Sequence, residues 1–185
     1  MSERHGFDEQ SLRFEFDDTW QVVVQSDGEP MVFKQGIKML QRTRDVDFIA
    51  LRKDRQLFFI EVKDFRGYRI QNKERISNGE LANLVAWKVR DTVAALVGAR
   101  RSRPDDGTWR ELARAFEPGH GVRVVLWLEE DPPAGARDIR AANRRSILQK
   151  DIQKRLRWLD VRAVVESRHA GLPGVTVTSL ARKPA

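Results

Sequence analysis

Three ionisable side chains, Asp47, Glu61 and Lys63, stand where a β-hairpin would gather them. Two short apolar runs, VDFIALR over 46–52 and LFFIEVK over 57–63, enclose the polar stretch KDRQ. Runs of this length separated by turn chemistry read as two strands covered on both faces. A turn centred on Asp54 sets Asp47 against Glu61, because each lies seven residues from it. Directly opposed side chains point to one face of a sheet. Lys63, two residues beyond Glu61, shares that face, and Asp45 falls opposite Lys63. A slip of one residue in the turn would scatter the set.

Two opposed carboxylates repel. Among Val46, Phe48, Ile49, Phe58, Phe59 and Ile60, desolvation adds to that cost. A divalent cation offsets it, and hard carboxylate oxygens suit Mg2+ or Mn2+. The backbone carbonyl of Val62, between the two side-chain contributors, is a further candidate ligand. Such a cation would stabilise charge on a scissile phosphate and activate a bound water. Lys63 would orient or deprotonate that water, or counter the phosphate charge. The competing reading is a surface ion pair worth ~0–1 kcal/mol, since Glu-x-Lys alone is common in charged chains. What favours a site is the combination: an acid opening one apolar strand, Glu-x-Lys closing its partner, and a helix and a buried strand following.

The elements that must position these residues follow from periodicity. Residues 12–25 are aromatic and β-branched and read as extended. Residues 31–42, with Met31, Phe33, Ile37 and Leu40, suit a short helix that Gly36 weakens. YRIQ (68–71) is a short third strand after the hairpin. A helix over 79–101 is marked by Leu81, Val85, Val89, Val93 and Val97 and by Asn78-Gly79 at its start. A polar connection, 102–121, holds one short helix. A buried strand spans 122–128, and a second long helix runs from an Asp138 N-cap to near Leu159. Strands at 161–165 and 175–180 close the chain. This order predicts an α/β fold, a mixed central sheet flanked by helices, in a single domain 1–185. Residues 12–130 would form the core and 131–185 a basic helix and strand extension.

Composition narrows the function classes. At 185 residues without cysteine, the chain excludes a disulfide framework, a zinc-thiolate site and a catalytic thiol. His5, His120 and His169 have no metal-ligand spacing. No Gly-rich phosphate loop, serine elbow or dinucleotide fingerprint is present. The N-terminal stretch lacks an apolar h-region, and no run approaches the ~18 apolar residues of a membrane span. We therefore expect a cytoplasmic protein without a membrane partner. The net charge of +7 favours a polyanionic partner. Residues 133–169 hold ten Lys/Arg against four Asp/Glu, so most of the excess sits in one segment. There Arg140, Lys150, Lys154 and Arg157 lie broadly opposite Leu148, Ile152, Leu156 and Leu159. That face would track a phosphate backbone or simply be solvated. Lys88, at the margin of its helix's stripe, reads as a solvated lysine in preference to a phosphate contact. Trp87 and Trp109 suit either exposure for stacking or burial.

Asp47, thirteen intervening residues and then Glu61-Val62-Lys63 resembles the PD-(D/E)xK, or restriction-endonuclease-like, nuclease superfamily. The string VDFIALRKDRQLFFIEVKDFRG is similar to archaeal-type Holliday junction resolvases and to the nuclease-related domain. The resemblance covers 12–130 and is specific across the hairpin. It implies Mg2+-dependent phosphodiester hydrolysis, with Asp47 and Glu61 as metal ligands and Lys63 as the catalytic lysine. It further implies an endodeoxyribonuclease acting on DNA in repair, recombination or defence against foreign DNA. A homodimer is one arrangement that would cut both strands. The chain departs from the family pattern in three places. Val46 stands where proline is frequent. Glu9, Glu15 and Glu29 are open candidates for a further glutamate. The Gln-x-x-x-Tyr element is absent, Tyr68 being the one tyrosine. Two alternatives remain: a non-catalytic module that binds nucleic acid or protein, and an RNA-directed nuclease on the same scaffold.

Overall fold

The computed structural model describes residues 5–26, 40–67, 76, 78–102, 107–115, 119–131 and 139–180, without the side chains of 102 and 139–141. The expected helix at 31–42, apart from its last three residues, lies outside them, as do the YRIQ strand, Tyr68, Glu29 and the Asp138 cap.

Among the described residues, two sheets and three α-helices make three layers. The central sheet has the order β3 (Trp20–Gln25), β4 (Phe48–Arg52), β5 (Gln56–Asp64), β6 (Gly121–Glu129), β7 (Arg162–Glu166). Its first two pairings are antiparallel and its last two parallel, so the sheet is mixed and the class is α/β. A smaller antiparallel sheet has the order β1 (His5–Glu9), β2 (Leu12–Phe16), β8 (Val175–Ser179). The helices are α1 (Glu80–Ser102), α2 (Gly107–Arg114) and α3 (Ile139–Arg155).

Among the described residues, the helices lie on one face of the central sheet. All three bury their apolar faces in one cluster with Ile49, Leu51, Leu57 and Phe59. The other face, built from Phe48, Ala50, Phe58, Ile60 and Val62, is covered by the small sheet. Phe7, Phe14, Phe16, Trp20, Phe48, Phe58 and Trp127 interlock there at ring separations of 4.8–6.0 Å, mostly edge to face, the geometry that ring quadrupoles favour. Phe14, Phe16 and Trp20, read in sequence only as strand formers, supply this second core.

The segment expected to be extended, 12–25, forms two strands in different sheets. The Asp17 carboxylate accepts the Thr19 N–H at 2.9 Å and so folds the chain over at 17–19. Gly174 makes room for that crossing. Its φ is +78°, and a Cβ would stand 2.7–2.8 Å from Asp17, Thr19 and Trp20. Residues beyond 131 supply α3 on the helical face, β7 in the central sheet and β8 in the small one.

The helix α1 begins where Asn78 accepts the Glu80 N–H at 2.9 Å. Leu81, Val85 and Val89 are buried, Val93 is half-buried, and Val97 is 53% exposed. A strict four-residue repeat drifts about 40° per step around a helix, so the stripe predicted from every fourth residue rotates out of the core. Leu96 and Ala99 take its place.

Candidate active site

The turn between β4 and β5 sets the geometry. Arg55 N–H returns to the Arg52 carbonyl at 3.0 Å and Arg55 adopts φ 62°. A three-residue loop ending in a left-handed residue fixes register, and Phe48 pairs with Ile60 as the turn at Asp54 requires. Within the ladder, odd-numbered residues then face the helices and even-numbered ones the small sheet. Asp47, Glu61 and Lys63 share the helical side.

Asp47 does not oppose Glu61 inside the ladder. The pairing ends at Phe48 and Ile60, one residue short of Asp47 and three short of Asp45. Beyond that point β5 keeps β6 on one edge but has lost β4 on the other, and side chains take the place of β4. Asp47 Oδ2 accepts the Val62 N–H at 2.6 Å. The Gln10 amide donates to the Val62 carbonyl at 2.9 Å and accepts the Asp64 N–H at 3.0 Å. Gln10 sits in the β1–β2 turn with φ 55°, so the small sheet clamps the strand carrying Glu61.

One turn of α1 holds the other side. Asp91 accepts the Arg44 N–H and Thr92 Oγ1 the Val46 N–H, each at 3.1 Å. Asp91 and Thr92 are buried. They dock the segment before β4 against the helix and so bring Lys88 to the site. Its ammonium stands 3.1 Å from Asp47 Oδ1 and 2.8 Å from Glu61 Oε2. The second approach is close but outside hydrogen-bond geometry, leaving Oε2 an ion-pair partner and no aligned donor. Lys63 Nζ donates to Glu61 Oε1 at 2.6 Å and to the Val62 carbonyl at 3.0 Å. The reading of Lys88 as a solvated lysine is thus overturned: its side chain is 16% exposed and bridges both acids. The signal lay in the sequence. Lys88 and Thr92 follow Leu81 and Val85 at helical spacing and place polar groups on a buried stripe.

Glu61 is fully buried. Burial, followed by repulsion from Asp47, pushes its carboxyl up to about 7 against the pull of Lys63 and Lys88. Burial would lower Lys88, but Glu61 and Asp47 outweigh it and hold the ammonium charged above its ordinary range. The adjacent Asp64 is a different kind of acid. It bonds Ser11 and Arg66, and although burial alone would raise it, these hydrogen bonds bring it down to about 2. Displaced ionisation in a packed cluster marks Glu61 as a functional candidate.

With both acids ionised the quartet of Asp47, Glu61, Lys63 and Lys88 is electrically balanced. The donor set suits a hard cation, which is commonly held by one or two carboxylates with water completing its shell. The Val62 carbonyl already accepts Gln10 and Lys63, so it becomes a ligand only when Lys63 turns away. Among the described residues no third Asp, Glu or His gathers with the pair. Glu9 is buried and accepts the Gln25 amide at 3.2 Å, and Glu15 pairs with Arg13.

Of the four expected phosphate contacts, Lys150, Lys154 and Arg157 are exposed. They line an open groove of about 430 Å³ with Gln149 and Gln153. Arg140 is the second residue of α3, its side chain outside the described atoms. Leu148, Ile152 and Leu156 are buried beneath. Trp158, next to Arg157, is 60% exposed, whereas Trp109 is buried and Trp87 half-exposed. No helix of the described residues is long and apolar enough to cross a membrane. No protein-family model, curated protein or solved structure gives a significant match to the chain, so the functional reading rests on the geometry of these four side chains.

Proposed function

We propose that the chain is a metal-dependent endodeoxyribonuclease with a restriction-endonuclease-like core. The observation that carries this reading is Glu61, a wholly buried carboxylate against Asp47 with two lysines in reach. Buried ion pairs are weak stabilisers and often no better than apolar replacements. Four charged groups in such a place therefore call for a use. The core order supports the same reading: β3, the hairpin β4–β5, the helix α1, then β6 parallel to β5.

Asp47 and Glu61 would hold Mg2+ or Mn2+, with the Val62 carbonyl as a further donor. A bound dication supplies charge stabilisation at the scissile phosphate and a more acidic water. The chain's own groups do the rest. Lys63, at the rim with 18% exposure, orients the attacking water and takes up phosphate charge. Gln10 and Asp47 hold β5 rigid beneath Glu61. Lys150, Lys154 and Arg157 contact the sugar-phosphate backbone without reading sequence, and Trp158 offers a face on which a base can stack.

One observation favours the non-catalytic module: with both acids ionised, the quartet is balanced without a metal. Incubation with supercoiled plasmid in Mg2+ or Mn2+ separates the readings. The nuclease nicks it, stops in chelator, and is silenced by Lys63→Met. A folded protein that binds DNA and never nicks it would leave the binding module. RNA offered beside DNA tests the third possibility.

A further inference from the structure

Lys88 occupies the space between the two acids that a bridging cation would need. Its Nζ lies 3.1 Å from Asp47 Oδ1 and 2.8 Å from Glu61 Oε2, while Lys63 engages only Glu61 Oε1 and the Val62 carbonyl. The two lysines are therefore not equivalent. Lys63 sits beside the carboxylate pair, and Lys88 sits between its members. A dication added with Lys88 in place would leave a buried site two charges in excess, at separations where like charges are strongly unfavourable. One cation must leave, and Lys88 is the one in the seat.

We propose that Lys88 is a resident cation which a divalent metal must displace, and that the displaced ammonium pairs with a phosphate of the nucleic acid, so that metal and substrate bind cooperatively. This rests on the nuclease reading of the site and adds its regulation. Without substrate the ammonium keeps its carboxylates and the metal is held weakly. A phosphodiester at the mouth gives Lys88 an alternative partner and frees both acids for the metal. The benefit is reciprocal, because a coupling free energy acts equally on both ligands. Lys88 is in these terms a positioning residue for metal and substrate together.

The test is Mn2+ binding, followed by the spin-resonance signal of the free ion, for wild type, Lys88→Met and Lys88→Arg. Each is titrated alone and with a short phosphorothioate DNA duplex. Alone, Lys88→Met binds Mn2+ more tightly than wild type, by roughly 5- to 150-fold if the coupling is of ordinary size. The duplex tightens Mn2+ binding to wild type and leaves Lys88→Met nearly unchanged. Lys88→Arg, which keeps the charge, stays weak like wild type. Lys88→Gln stands in if the methionine variant fails to fold. Equal or weaker Mn2+ binding by the folded neutral variants overturns the proposal. Failure of the nuclease reading shows separately, as absence of plasmid nicking by wild type in Mg2+.

Discussion

Glu61→Gln should make the protein more stable while destroying its activity, and the gain should depend on pH. The amide has nearly the outline of the carboxyl and mimics its protonated form. The wild-type carboxyl ionises near its ordinary value of 4.5 in the unfolded chain and at about 7 in the fold. Below the lower value both states are protonated, and the substitution changes little. Between the two values the unfolded chain releases the proton first, so wild-type stability falls as pH rises. Above the upper value the whole difference is in force. At ~1.4 kcal/mol per unit, the displacement from 4.5 to about 7 corresponds to about 3 kcal/mol. Urea denaturation should therefore show Glu61→Gln more stable than wild type by up to about 3 kcal/mol at pH 8, and by less than about 1 kcal/mol at pH 5. Adding Mg2+ at pH 8 should stabilise wild type by mass action and leave the variant where it was. A variant less stable than wild type at pH 8, or equally displaced at both pH values, would refute the reasoning. A gain of stability with loss of function is the usual signature of a strained working site.

Further expectations concern the supports and the grip. Gln10→Ala removes two hydrogen bonds to the unpaired edge of β5 and should cost about 1–3 kcal/mol in urea denaturation, at ~0.5–1.5 kcal/mol per bond. It should also lower cleavage by more than the lost stability explains, since Glu61 is carried on that edge. Thr92→Val should weaken the docking of 44–47 on α1 by about 1–3 kcal/mol, through the buried Val46 N–H left unpaired; a neutral result would mean that segment holds itself in place. Replacing Lys150, Lys154 and Arg157 together by alanine should flatten the dependence of log affinity on log salt by about 3, at ~0.9 per phosphate contact on duplex DNA. An unchanged slope would remove that face from the interface.

The hairpin was legible because turn and parity are local. KDRQ between two apolar runs fixes register, and register sends Glu61 and Lys63 to one side, while Asp47, one residue beyond the ladder, is brought to them by its bonds to Val62 and Lys88. The β6–α3–β7 unit was legible for the same reason: each element is a continuous run closed by turn residues. Lys88 was misread because its role depends on a contact 41 residues away, and a lysine on a helix is ordinarily solvated. The small sheet was missed because its pairing joins the two ends of the chain, β2 with β8, and no short-range pattern records such a pairing. The strand β1 was hidden as well, since HGFDE is mostly polar and only its pairing with β2 makes it a strand.

Anomalous diffraction at the manganese edge, from crystals grown with Mn2+ and a short DNA duplex, goes straight to the arrangement on which everything else depends. A manganese peak within about 2.2 Å of oxygens from both Asp47 and Glu61, with the Lys88 ammonium withdrawn toward a phosphate, is the result we predict. Finding that ammonium still between the two carboxylates, and no peak beside them, would contradict the metal site and the nuclease reading with it.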